Sequence, residues 1–299
     1  MSPARKASTG KPLLAVDAPS MLFRAFYALP DSIKGADGRP VNALLGASNL
    51  ILREVEEHDP RAVVLCFGPD AADYRVELFD GYHAERPEVP DDLAPQFAAS
   101  GEFFEAFGWT VANHASLEAD DLLGTYAKAE TAAGGNALLL TGDRDMFQCA
   151  GDGVTVLYVR TGGKRGAEAV GPKEVRERYG IDPELVPDFI ALRGDPSDGI
   201  PGAKGVGEKT AADLLRKHGS LEGVLDAAIR ESRPALRKAL VDGREELLAF
   251  KDIATLRDAG VKRPPNRATD WKGAAAKARE LGMNRLAERL DERSKAGAR

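Results

Sequence analysis

Four short apolar runs punctuate the first half of the chain and restrict it to few folds. They are Leu13 to Val16, Ala62 to Phe67, Ala137 to Leu140 and Val154 to Val159. Each is the length of a strand and too short for a buried helix, and none alternates with polar residues. Between them lie stretches with helical spacing: Ser20 to Leu29, Ala43 to Glu57, Asp91-Asp92 to about Phe107, and Leu117 to Thr131. Apolar strands alternating with helices predict an α/β core, a central mostly parallel sheet flanked by helices on both faces. After Gly171 the pattern changes. Pro172 to Tyr179, Pro187 to Arg193, Glu208 to His218 and Arg237 to Phe250 all read as helices. The expected organisation is a basic, disordered N-terminus (1–12), an α/β core (13–171), a helical subdomain (172–291) and a frayed tail (292–299).

Bulk properties exclude several classes. At 299 residues and 43% hydrophobic, the chain can build its own core. Its two cysteines, Cys66 and Cys149, sit beside apolar runs without ligand spacing, which predicts buried reduced thiols in a cytoplasmic protein. No apolar stretch reaches signal-peptide or membrane-spanning length. A net charge of −6 argues against nucleic-acid binding until its distribution is considered.

The carboxylates fall into groups. Asp17 ends the first strand; Glu118, Asp120 and Asp121 open a helix; Asp143 and Asp145 follow the third strand; Asp195 and Asp198 follow a helix. In an open α/β sheet, ligands bind beyond the carboxyl ends of the strands, where Asp17 and Asp143 stand. Converging carboxylates repel one another unless cations neutralise them, and Mg²⁺ or Mn²⁺ suits oxygen ligands. Two such ions suit phosphodiester hydrolysis. These eight residues account for −8, which leaves +2 for the rest of the chain. Arg160 to Arg178 holds six bases against three acids, so a locally positive surface is compatible with the acidic total.

A second signal runs from Asp198 to Ala211. Gly202, Gly205 and Gly207 permit a tight turn with open amides just before a helix, with Lys204, Lys209 and Thr210 alongside. Such a turn makes an anion site for backbone phosphate. With the preceding helix it reads as a helix-hairpin-helix over 194–218, which grips duplex DNA without reading sequence.

These segments together resemble the 5′-3′ exonucleases and flap endonucleases, in the form fused to bacterial DNA polymerase I. The resemblance runs from about Leu13 to Phe250. It is carried by Leu14-Ala15-Val16-Asp17 with Phe23-Arg24-Ala25-Phe26; Tyr74-Arg75 through Tyr82 and Arg86 to Leu93; Glu118 to Asp121; Thr141 to Asp145; and Gly194 through Gly207. It implies a PIN-like 5′-nuclease core with a helical gateway over about 70–107. It implies one metal on Asp17, Glu118 and Asp120, a second on Asp120, Asp143, Asp145 and Asp198, and Asp121 and Asp195 close by. A K⁺ ion in the hairpin, on backbone carbonyls and Ser197, is implied too. Tyr82 and Arg86 match positions that handle the 5′ nucleotide and its phosphate, and Arg24 and His83 are assigned to the same task. The expected partner is DNA with a 5′ single-stranded end or flap, in replication or repair, and the expected state is a monomer.

The chain departs from the family at three places. Phe67-Gly68 stands where a Phe-Asp pair supplies a metal ligand, with Asp70 as a candidate substitute. Tyr82-His83 stands where Tyr-Lys is usual, and neutral histidine holds phosphate less firmly. Asp70 to Phe107 holds ten acids and two bases, Arg75 and Arg86. An alternative reading is therefore a junction-binding relative with weakened or lost catalysis. A haloacid-dehalogenase-like phosphatase is disfavoured, because Asp17-Ala18-Pro19 lacks the second aspartate such enzymes need.

Overall fold

The computed structural model describes residues 10–160 and 166–296. The expected turn at 161–163, Lys164, Arg165, and residues 1–9 and 297–299 lie outside them.

In chain order the elements are β1 (Leu13–Asp17), α1 (Ala18–Ala28), α2 (Asn42–His58), β2 (Ala62–Phe67), α3 (Asp73–Leu78), α4 (Ala94–Glu105), β3 (Thr110–Asn113), α5 (Ala119–Ala132), β4 (Ala137–Thr141), β5 (Val154–Tyr158) and β6 (Glu168–Val170). The helical part follows as α6 (Pro172–Tyr179), α7 (Val186–Arg193), α8 (Glu208–His218), α9 (Leu221–Ala227), α10 (Pro234–Asp242), α11 (Arg244–Ala254), α12 (Trp271–Glu280) and α13 (Asn284–Ala296).

The sheet has six strands in the order β3-β2-β1-β4-β5-β6. The first five are parallel, and β6 runs antiparallel to β5. The chain builds outward from β1 to β2 and β3, then returns to place β4 on the other side of β1. The crevice between the carboxyl ends of β1 and β4 is thus the topological switch point, where α/β sheets bind ligands.

Side-chain alternation divides the core in two. Leu13 and Ala15 lie on the side of α5, in one cluster that continues through α7, α8, α9 and α11. Leu14 and Val16 face α1, α2, α4, α12 and α13. Every residue of β1 is buried, as expected of a central strand covered on both faces. Cys66 is buried and Cys149 half-buried, and both are free thiols. Among the described residues no helix is long and apolar enough to cross a membrane.

Several elements differ from the sequence reading. The helix expected over Arg237 to Phe250 breaks at Gly243, whose amide closes α10 on the Ala239 carbonyl before α11 begins. The segment read as a gateway over 70–107 divides. α3 and the turns to Asp92 cover the site, whereas α4 places Phe103 and Phe104 in the core. The C-terminal part divides as well. α12 and α13 leave the helical bundle and pack Ala274, Ala275, Ala278, Leu286 and Leu290 on the Leu14/Val16 face. That packing keeps α13 helical through Ala296, across positions expected to fray from 292.

Candidate active site

The switch point gathers the acidic residues. Asp17 ends β1 and caps α1, accepting the Ser20 amide at 3.0 Å on Oδ1 and the Thr141 hydroxyl at 2.8 Å on Oδ2. Thr141, fully buried at the end of β4, also accepts the Asp143 amide at 3.0 Å. One hydroxyl thereby links the two acidic strand ends. Asp143 in turn accepts the Asp145 amide at 2.8 Å. Asp120 lies in the first turn of α5, and among the described residues neither it nor Asp145 makes an ion pair or hydrogen bond through its side chain.

The electrostatics sort the eight carboxylates into two sets. Burial is the largest influence on Asp17, Asp120, Asp143 and Asp145, and it raises all four above the ordinary carboxylate range. Asp143 is pushed up to about 7, first by burial and then by Asp198. Asp120 is raised by burial, then by Asp17, Asp143 and Glu118; Asp145 by burial, then by Asp143, Asp198 and Asp195. Asp17 is buried and the other three are half-buried, with neighbouring acids adding to the rise of those three; such a cluster favours a cation, and carboxylate oxygens suit a hard divalent ion.

The other four have protein partners. Glu118 accepts the Ala72 amide at 2.7 Å on Oε1 and the Tyr82 hydroxyl at 3.0 Å on Oε2, with the Arg75 guanidinium 2.7 Å from Oε2. Asp121 is fully buried and faces away from the pocket: it accepts Arg75 Nη2 at 3.0 Å, the Arg257 amide at 2.8 Å and the Glu118 amide at 3.1 Å. Both its oxygens thus have protein donors, Oδ2 in the cap of α5 and Oδ1 on Arg75 and the Arg257 amide, which sets it apart from its expected place beside an ion. Asp195 pairs with Arg193 at 2.8 Å and accepts the Ser197 amide at 2.9 Å and its hydroxyl. Asp198 accepts His83 Nε2 and Arg86 Nη2, each at 3.1 Å, on Oδ1. Burial alone would raise Asp198, but His83, Arg86 and Arg75 outweigh it and hold its pKa below the ordinary range.

Gly68 cannot be read as a missing side chain in an open place. A Cβ there would lie 2.3 Å from the Leu117 carbonyl oxygen and 2.8 Å from Glu118 Cα. Asp70 does not stand in for it, since its exposed carboxylate pairs with Arg86 at 3.0 Å. His83 adopts a left-handed φ of 54°, which turns its amide onto the Asp198 carbonyl at 3.1 Å while the ring reaches the Asp198 carboxylate and the Asp70 carbonyl at 2.7 Å. Its ring stacks on Tyr82 at 3.8 Å between centroids. Arg24 donates to the Gly142 carbonyl at 2.6 Å, which ties α1 to the loop carrying Asp143.

The hairpin forms between α7 and α8. Asp195 and Ile200 exchange backbone hydrogen bonds of 2.7 and 2.8 Å, and Ile200, Ala203 and Val206 are buried beneath the turn. Gly202 has a φ of 67° and approaches so closely that a Cβ would lie 2.3 Å from the Gly194 nitrogen. Gly205 and Gly207 face open space, and Lys204 and Lys209 are exposed without ion pairs among the described residues, with Thr210 half-buried in the first turn of α8. Ser197 is exposed at the start of the turn.

Arg75, Ser20 and Thr141 escaped the sequence reading as site residues. The segments Tyr74-Arg75 and Thr141 to Asp145 carried a hint of two of them, through the resemblance. Among the described residues, the one trio of ligating side chains with donor atoms all within 4.8 Å is Glu54, Glu57 and His58. It lies on the last turns of α2, at the edge of the sheet where the strands begin, away from the acidic pocket.

Comparison with known proteins agrees with this geometry. Residues 12–180 match the 5′-3′ exonuclease N-terminal resolvase-like domain, and residues 181–272 match the 5′-3′ exonuclease C-terminal SAM fold. A 5′-3′ exonuclease of Streptomyces coelicolor is 40% identical over 247 residues, covering 77% of this chain and 80% of that one. A 5′-3′ exonuclease of Mycobacterium tuberculosis is 39% identical over 258 residues, covering 80% and 79%. Among solved structures, the D15 flap endonuclease of bacteriophage T5, in complex with DNA and metal ions, superposes with a TM-score of 0.68 over 94% of this chain and 98% of its own, at 17% identity. At that identity the likeness is one of fold.

Proposed function

Because this chain belongs to the 5′-3′ exonuclease family, we propose that it hydrolyses DNA phosphodiester bonds at 5′ ends, flaps or junctions with Mg²⁺ or Mn²⁺. The observation that carries this reading is the cluster of four carboxylates at the switch point, Asp17, Asp120, Asp143 and Asp145, all raised above the ordinary range first by burial and none in an ion pair among the described residues.

These four would hold the divalent metal. Bound there, such ions lower the pKa of water and offset charge on the phosphate. The chain's own groups do the positioning. The open amides of Gly205 and Gly207, with Lys204, Lys209 and Thr210, take the duplex backbone at the start of α8. This grip is blind to sequence, which suits an enzyme that recognises structure. Arg86 and His83, already directed at an oxygen of Asp198, are the side chains placed to exchange that carboxylate for a 5′ phosphate. The Tyr82 ring backs His83, and Arg24 fixes the Asp143 loop through the Gly142 carbonyl. We assign a K⁺ ion to the hairpin carbonyls and Ser197, and a cytoplasmic monomer as the working form.

Incubation with a 5′-flapped duplex and Mg²⁺ or Mn²⁺ tests the reading. Cleavage that Asp143→Ala abolishes supports it. Tight flap binding without turnover under either metal would favour the alternative, a junction-binding relative, for which the sealed position at Gly68 is the motivation.

A further inference from the structure

Glu54, Glu57 and His58 stand on one face of the last two turns of α2, at the spacings of three and four residues that bring helix side chains together. One ligating atom from each lies within 4.8 Å of the other two. The Glu54 side chain is 4% exposed; its carboxylate lies 3.3 Å from His58 Nε2 and accepts the Ala167 amide, just ahead of β6. Burial raises the Glu54 pKa above the ordinary range and Glu57 adds to the rise, against the opposing pull of the Ala167 amide, His58 and Arg53.

The neighbouring acids of this helix end have bases of their own. Glu56 faces Arg293 at 4.0 Å, and Asp59 pairs with Lys11 at 2.6 Å. Glu57 makes no ion pair or hydrogen bond through its side chain among the described residues. A histidine and a glutamate four residues apart need no third acid; placing Glu57 beside them adds repulsion that a cation would relieve. The helix ends at His58, so its last carbonyls add partial negative charge at the same place. Beside the trio opens a cavity of about 480 Å³, to which Glu57, His58, Asn136 and Thr155 contribute. It gives water room to reach an ion held by Glu57 and His58.

Two carboxylates and a neutral imidazole balance a divalent charge. Imidazole among carboxylates suits Zn²⁺ and its transition-metal neighbours, whereas Mg²⁺ prefers oxygen throughout. Three protein ligands with water in the fourth position is a common arrangement for zinc. We propose that Glu54, Glu57 and His58 form a transition-metal site, selective for Zn²⁺ over Mg²⁺ and separate from the acidic pocket, in which the ion joins the end of α2 to the approach to β6 through Glu54. The site lies at the opposite end of the strands from the acidic pocket, and it stands apart from the nuclease reading.

Calorimetric titration of the full chain with Zn²⁺, in excess Mg²⁺ to occupy the acidic pocket, is the test. One Zn²⁺ is expected in the wild type. His58→Ala should weaken it more than about 100-fold, beyond the usual cost of losing a mere support to a ligand. Glu57→Gln, an exposed change that leaves the helix intact, should weaken it about tenfold or more. Asp143→Ala should leave it unchanged. Zn²⁺ should also raise the melting temperature of the wild type and not that of His58→Ala. Absence of Zn²⁺ uptake in excess Mg²⁺, uptake indifferent to both His58→Ala and Glu57→Gln, or uptake lost in Asp143→Ala would overturn the proposal. Zn²⁺ uptake as expected in a chain that cuts no flap would count against the nuclease reading and leave this site standing.

Discussion

Gly68 and Leu117 meet backbone to backbone: a Cβ on Gly68 would stand 2.3 Å from the Leu117 carbonyl oxygen. No flexible side-chain end could yield there. Leu117 leads directly into Glu118, so any side chain at position 68 must push on the residue that opens α5. Restoring the family's aspartate with Gly68→Asp is therefore expected to lower activity rather than raise it. Overpacking of this kind costs about 1–3 kcal/mol, and Gly68→Ala should show most of it. Thermal melts of both variants, alongside flap cleavage, check this. A Gly68→Asp protein that melts like wild type and cuts faster would mean that the Leu117–Glu118 backbone yields easily.

The same contact shows what the sequence could and could not convey. β1, β2, β4 and β5 were legible because a strand buried on both faces must be apolar throughout, and α6 and α8 because proline or glycine marks their starts and glycine follows their ends. β3 was not, since Thr110 to Val111 are half-buried and Asn113 is exposed, which leaves no apolar run. The acidic groups were legible as groups. Their division into an inner unpaired set and an outer paired set was not. That division depends on where Arg75, Arg86 and His83 arrive in three dimensions. Asp120 and Asp121 are neighbours in sequence, yet one faces the pocket and the other the α11 side. The helix turns by about 100° per residue, and only tertiary packing shows which side holds the guanidinium.

The raised pKa values make stability depend on pH and metal together. Asp143 has an ordinary value of 3.8 and is pushed up to about 7 in the folded chain, first by burial and next by Asp198. Between those values the folded chain binds more protons than the unfolded one. Stability of chelated protein should therefore fall as pH rises from about 4 to about 7. Asp120 and Asp145 act in the same direction, whereas the lowered Asp198 acts only below about pH 4. Mn²⁺ removes the repulsion, so its stabilising effect should be larger at pH 7.5 than at pH 5. A difference of even 1–2 kcal/mol amounts to about 2–8 °C in melting temperature for chains approaching this size. Melting curves with chelator and with Mn²⁺ at both pH values measure it, and an equal metal effect at each would show that the pocket carboxylates ionise normally.

Thr141 is the one uncharged side chain expected to matter as much as a carboxylate. Its hydroxyl donates to Asp17 and accepts from the Asp143 amide, and it is fully buried. Thr141→Val keeps shape and volume but leaves that amide unpaired, at a cost of about 1–3 kcal/mol. Mn²⁺ affinity should drop about 10–100-fold, as when a supporting hydrogen bond to a ligand is lost. Thr141→Ser should recover most of it, because the hydroxyl returns. If valine and serine behave alike in titration, the hydroxyl does not orient the two aspartates.

The hairpin makes a separate prediction, since it grips phosphate without touching the acidic pocket. Lys204 and Lys209 are exposed, lack ion pairs among the described residues, and flank glycines where an added Cβ would meet open space. Each lysine that neutralises one phosphate releases counterions, contributing about −0.9 to the slope of log affinity against log salt on duplex DNA. Lys204→Ala with Lys209→Ala should therefore flatten that slope by about 1.8. Binding should weaken to a similar degree on unrelated duplex sequences, because backbone contacts carry no sequence information. Mn²⁺ affinity without DNA should stay unchanged, which separates loss of grip from damage to the pocket. Fluorescence anisotropy with a flapped duplex, measured from low to moderate salt, gives the slope. An unchanged slope in the double variant would remove the hairpin from the DNA path and shift the search to the exposed bases of α10, Arg237 and Lys238.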